Sequence, residues 1–236
     1  MIEIKGKYNT ARVFTDNLED EAKAQILELC NQEFVRDSII RIMPDAHAGA
    51  GCTIGTTMTI SDKVVPNLVG VDIGCGMETI RLKQKEIDFE KLDRIIYDYI
   101  PSGFDIRKTP HKYADKIDLN KLACKNHVNL QRAILSIGTL GGGNHFIEVN
   151  RDSSGALYLV VHTGSRHLGK QVAEYYQELG YKELMARKNV KISKPLAYVQ
   201  GKSFNNYLND MKIVQQYAVY NRKAIVDEII NRMGFE

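Results

Sequence analysis

Apolar residues recur at helical spacing between positions 18 and 34, where Ala22, Ala24, Ile26, Leu27 and Cys30 fall near one face. That spacing predicts a helix with Asp16 or Asn17 as its N-cap. The β-branched run at 38–43 predicts a strand that ends at Pro44, because proline restricts the residue before it and cannot donate a ladder bond. A small-residue loop follows over 44–52, then an extended segment dense in threonine and isoleucine over 53–60. After a turn at 61–63, the apolar stretch 64–71 reads as extended and 77–82 as a further strand, with a tight glycine turn between them.

The remainder alternates in the same way. Positions 88–99 and 126–136 carry helical patterns, separated by a polar, lysine-bearing stretch over about 101–121. A glycine loop at 138–143 leads into an extended segment at 145–149. A strand at 156–161 delivers His162 at its end, and a helix starts near Leu168. Over 204–233 an apolar stripe of Ile213, Val214, Tyr217, Ala218, Tyr220, Ala224, Ile225 and Ile229 predicts one long helix or two. Strands and helices interleave without a βαβα rhythm and without repeats. The expected fold is therefore α+β, mixed sheets with surrounding helices in a single domain over 1–236, rather than a doubly wound parallel sheet.

Composition narrows the picture only a little. With 236 residues and 44% hydrophobic content, the chain can bury a substantial core. Its 32 basic and 29 acidic residues permit a nucleic-acid partner without demanding one. No run approaches a membrane span or a signal peptide, so a cytoplasmic protein with no membrane partner is expected. Cys30, Cys52, Cys75 and Cys124 are far apart, which suggests neither a disulfide framework nor a zinc ribbon.

The chemistry concentrates in short segments beside glycine. Asp72 and Cys75, three apart across Gly74, let one turn aim a carboxylate and a thiol at a common point. His145 opens an extended segment after the glycine loop, and His162 ends an apolar strand. One carboxylate, one thiolate and two imidazoles make most of a metal centre for Mn, Co, Zn or Fe. The plain alternative is a buried cysteine, an Asx-turn aspartate and satisfied core histidines. Ser165 and Arg166 follow His162 closely enough to contact phosphate, although Ser165 equally suits a helix cap. His47 is either structural or a substrate contact, while His111, His127 and His167 read as surface residues. No histidine or cysteine follows His167.

Four segments taken together resemble a known family. Residues 44–49 (PDAHAG), 69–76 (VGVDIGCG), 138–148 (GTLGGGNHFIE) and 161–169 (VHTGSRHLG) look like those of RtcB-type RNA ligases, in the same order. The resemblance implies joining of RNA ends, from tRNA halves or damaged RNA, that bear a 3′-phosphate or 2′,3′-cyclic phosphate to ends bearing a 5′-hydroxyl, with GTP and Mn²⁺. It implies that Asp72, Cys75 and His145 hold one Mn²⁺, that Cys75 and His162 contribute to a second, and that Asn144, His145, Phe146, Ile147 and Glu148 line the guanine-nucleotide site.

The chain also departs from that family. A further metal-binding histidine followed by asparagine, a Lys-Gly-Ala segment and the guanylylated histidine in a His-Gly-Ala-Gly-Arg context are all missing from these residues. The expectation is the N-terminal part of the family's length, truncated at the C-terminus, and unable by itself to form enzyme-GMP. Two alternatives stand beside it: a non-catalytic RNA-end or nucleotide-binding module, and a GTP-independent metal phosphoesterase.

Overall fold

The computed structural model describes residues 1–188 and 190–235. In chain order the strands and helices are β1 (Ile2–Lys5), β2 (Thr10–Val13), α1 (Asp20–Cys30), β3 (Ile40–His47), β4 (Ile54–Met58), β5 (Lys63–Val64), α2 (Pro66–Val69) and β6 (Gly76–Leu82). They continue with α3 (Phe89–Tyr99), α4 (Leu130–Ser136), β7 (Phe146–Arg151), β8 (Leu157–Thr163), α5 (Arg166–Met185), β9 (Val199–Gln200) and α6 (Gly201–Met233). Mixed sheets and helices make this an α+β fold, as the pattern predicted. Among the described residues, no helix is long and apolar enough to cross a membrane.

The chain divides into two compact units. One comprises Met1–Val71 and Ala173–Tyr207, the other Asp72–Val172 and Leu208–Glu236. In the first, a sheet of order β1-β2-β3-β4 pairs β2 and β3 in parallel and its other neighbours antiparallel. Alternate residues Ala11, Val13, Ile40 and Ile42 turn inward and meet Ala22, Ile26, Leu29 and Cys30 of α1, as period-2 strands against a 3.6-period helix require.

Three local expectations need correction in this unit. Helix α1 starts at Asp20 with Glu19 at the N-cap and no side-chain cap, so neither Asp16 nor Asn17 caps it. Strand β3 runs through Pro44 to His47, because the register slips between Ile42 and His47 and the irregularity accommodates a residue without an N–H. The 64–71 stretch is not a strand: after Val64 it turns into α2, with Pro66 in the first helical turn, where a missing N–H costs nothing.

The second unit carries the three-stranded antiparallel sheet β6-β8-β7. Register sets Met77, His162 and Phe146 side by side, and two residues on come Thr79, Val160 and Glu148. These share one face, on which Met77, Thr79 and Glu148 are exposed. The other face contributes Ile80, Leu159, Val161, Ile147 and Val149 to a core with Leu92 and Ile95 of α3 and Ile225, Val226 and Ile229 of α6. Helix α3 is capped by Asp88, which accepts from Lys91 N–H, and α4 by Asn129, which accepts from Arg132 N–H. Helix α6 is one continuous element of 33 residues, and α5 begins at Arg166 rather than near Leu168.

Candidate metal centre

Three segments of the second unit deliver the candidate ligands. The turn 72–75 closes when Cys75 N–H donates to Asp72 C=O at 3.0 Å. Gly74 sits there at φ 79°, and a Cβ on it would meet Gln215 and Ala218 of α6 at about 3 Å. Glycine is thus required both for the left-handed backbone and for the close approach. The glycine loop presents His145, and β8 presents His162 one residue before its end.

These side chains converge on the Cys75 sulfur. Sγ lies 3.7 Å from His145 Nε2 and 3.5 Å from His162 Nε2. Asp72 Oδ2 lies 2.8 Å from His145 Nε2, and single ligand atoms of Asp72, Cys75 and His145 all fall within 4.8 Å of one another. His162 joins the group through the sulfur, and its ring meets that of His145 edge-on with centroids 5.7 Å apart. Its ring stacks on Phe146 with centroids 5.1 Å apart.

Hydrogen bonding decides which way His145 faces. Leu140 C=O, which can only accept, lies 2.9 Å from Nδ1, so Nδ1 carries the proton. In the neutral ring Nε2 is then a bare lone pair facing the Asp72 carboxylate and the Cys75 sulfur. Acceptors gathered this closely need a proton or a cation among them, and the donor set suits a divalent ion. Burial raises the Asp72 carboxyl, but when a proton fills that gap the hydrogen bonds Asp72 accepts from His145 Nε2 and from Cys75 outweigh burial and leave it below its usual range. Burial, reinforced by the Asp72 charge, pushes the Cys75 thiol up to about 12. A cation at the site would reverse that shift.

The supporting groups are residues that sequence reasoning passed over. Asn221 of α6 is fully buried; its Oδ1 accepts from Gly138 and Thr139 N–H, and its Nδ2 donates to Thr139 and Gly164 C=O. Arg222 Nη1 donates to Gly74 C=O and to Thr163 C=O, both at 2.8 Å. Thr163 Oγ1 donates to Leu140 C=O at 2.7 Å, the carbonyl that orients His145. The signal was present: Asn221 falls on the apolar stripe of Val214, Tyr217, Ala218 and Ile225, where a polar side chain must have buried partners.

The other sequence-derived candidates separate. Phe146 and Glu148 lie on the sheet face that bears His162, whereas Ile147 packs into the core. Asn144 is exposed in the loop before them. Ser165 is buried, and its N–H donates to Asp72 Oδ1 at 3.1 Å. Its hydroxyl has no hydrogen-bond partner among the described residues, so it does not cap α5. Arg166, at φ 59°, donates to Thr139 Oγ1 and Gly103 C=O. With Arg132, Lys170, Gly142 and Gly143 it borders a cleft of about 460 Å³. His47 lies in the first unit, exposed at the end of β3, with Nδ1 against Asp45 C=O at 2.9 Å. His127 and His167 are exposed as expected, while His111 is half-buried and accepts from Tyr113 N–H.

The family model described as "tRNA-splicing ligase RtcB" matches residues 25–127 and 108–234, and the chain belongs to this family. It is 29% identical over 92% of its length to the RNA-splicing ligase RtcB of Escherichia coli K12, covering 58% of that protein. It is 27% identical over 83% of its length to the tRNA-splicing ligase RtcB of Aeropyrum pernix, covering 52% of that relative. The chain thus spans little more than half the length of the curated relatives it matches.

Proposed function

We propose that this chain supplies the metal-binding part of an RNA ligase that uses GTP and Mn²⁺ to join 3′-phosphate or 2′,3′-cyclic phosphate ends to 5′-hydroxyl ends. The observation that carries the reading is the approach of two imidazoles to one sulfur, in a chain that belongs to the RtcB family. Asp72, Cys75 and His145 would hold one ion, and Cys75 with His162 part of a second. Divalent ions at such a site neutralise charge that builds on transferring phosphoryl groups. Arg166, bordering the neighbouring cleft, would orient phosphate with its guanidinium. Phe146 and Glu148 would present an aromatic ring and a carboxylate to the guanine nucleotide from the sheet face shared with His162.

The attacking histidine of the family stands in a His-Gly-Ala-Gly-Arg context, which these 236 residues do not contain. We infer that the chain by itself binds metal and leaves the nucleotide unattached. Incubation with α-labelled GTP and Mn²⁺, followed by an acid-labile, alkali-stable label assay, tests this. No protein-bound label is expected. A label would assign the nucleophile to one of the chain's own histidines, and failure to bind any divalent ion would remove the ligase reading of the site. Turnover of a 2′,3′-cyclic phosphate without GTP would instead establish a phosphoesterase.

A further inference from the structure

The open face of the β6-β8-β7 sheet leads away from the metal centre toward a second cleft. From the Met77/His162/Phe146 row it passes Thr79, Val160 and Glu148 and reaches Arg81, Tyr158 and Asn150. Just past these residues lies a cleft of about 410 Å³ at the ends of β6 and β7, bordered by Arg81, Lys83, Lys85, Arg151 and the 154–156 turn. Among the described residues four cations line it, of which Lys83 has an interaction of its own, and no carboxylate does. In a chain whose net charge is only +3, that is a local concentration of positive charge.

Neighbouring carboxylates offset this charge in part, because hydrogen bonds from neutral donors leave a carboxylate's charge in place, but neither Asp152 nor Glu148 lines the cleft. Asp152 is committed to its own turn, accepting from Ser154 N–H and hydroxyl, from Ala156 N–H and from the Tyr158 hydroxyl. Glu148, midway along the face, accepts from Asn150 Nδ2 at 2.8 Å. Arg81, Lys85 and Arg151 are exposed, and Arg151 reaches Lys85 C=O only at 3.5 Å. From Gly76 to Leu82 a strand rising about 3.3 Å per residue covers roughly 20 Å. At about 3.4 Å per phosphate along a stacked strand, that is a reach of roughly six nucleotides.

We propose that this cleft binds the phosphodiester backbone of a single-stranded RNA that follows β6 from a reacting end at the metal centre, leaving Phe146 and Glu148 of β7 to the guanine nucleotide. The proposal rests on the RNA reading given above and adds a second anchoring point to it. The cations grip phosphates without reading bases, so the contribution is independent of sequence and depends on strand length. A stacked RNA of about three nucleotides at the metal centre ends short of the cleft, while one of about twelve reaches it.

The test compares the intact chain with an Arg81→Gln/Lys85→Gln variant by fluorescence anisotropy of labelled 5′-hydroxyl RNAs of about three and about twelve nucleotides, over a salt series. A Lys116→Gln/Lys121→Gln variant, which removes two exposed cations elsewhere in the same unit, is the control. For the longer RNA the log–log salt slope should shrink by about 0.7 per cation removed, and affinity near 0.1 M salt should fall about tenfold. The shorter RNA and the control variant should show neither change. An unchanged slope with the longer RNA would overturn the cleft and leave the RNA reading standing. No binding of either RNA by the intact chain would overturn both. Equal loss of polyglutamate binding, with no dependence on RNA length, would assign the cleft to an acidic protein partner instead.

Discussion

A thiol held near 12 cannot ligate a metal at neutral pH without giving up its proton. Below that value each binding event at Cys75 expels one proton, so metal affinity should climb with pH by roughly tenfold per unit between about pH 6 and 8 on this account. Cys75→Ser, whose hydroxyl keeps its proton, should bind Mn²⁺ at least about tenfold more weakly and lose one proton's worth of that slope. Calorimetric titrations of both proteins at several pH values measure this, and an unaltered Cys75→Ser titration would remove the sulfur from the site. Gly164 offers a second residue-level test. A Cβ there would run into the Asp72 carboxylate, so Gly164→Ala should keep the fold and lower metal affinity about 10–100-fold. Asp72, Cys75, His145 and His162 were legible as candidates because a three-residue spacing across glycine and a histidine at a strand end are local signals. That the two imidazoles meet on the sulfur, and not on the carboxylate alone, depends on the pairing of β6 with β8, which no local signal carries.

At the scale of elements, α6 connects the segments that carry the site. Asn221 satisfies two N–H groups of the glycine loop and two carbonyls, one in that loop and one just past β8, while Arg222 ties that strand to the Asp72 turn. Asn221→Leu would strand those buried groups, and each costs about 1–3 kcal/mol. A loss of about 3 kcal/mol or more in denaturant-induced unfolding is expected. Metal affinity should fall alongside, because the loop fixes the Leu140 carbonyl that sets the His145 tautomer. Stability unchanged within error would show that the network is replaceable. Elements were legible where one period dominated: β6, β8, α3 and α6 all lie where the pattern placed them, to within a few residues. Two of the misread segments were those where proline overrode composition. Pro44 was absorbed by a register slip and Pro66 opened a helical turn, and both outcomes depend on neighbours that sequence spacing does not reveal.

For the molecule as a whole, each compact unit has its own buried cluster, and every candidate metal ligand belongs to the second. Metal should therefore stabilise the unit that holds it. At a concentration of about 100 times Kd the gain is about 2.7 kcal/mol, and the corresponding rise in melting temperature is roughly 5–10 °C. A thermal scan with and without chelator checks this, and in Cys75→Ser, with its weaker binding, the difference should fall by about half or more. The sharing of one sulfur by two histidines has a consequence for what the site contains in practice. Sulfur and imidazole favour zinc and copper over manganese whenever these compete at equal availability. Supply, not intrinsic preference, must then decide the occupant. Preparations grown in zinc-rich medium should carry zinc by elemental analysis, and only protein stripped and reloaded with manganese will report on the proposed chemistry.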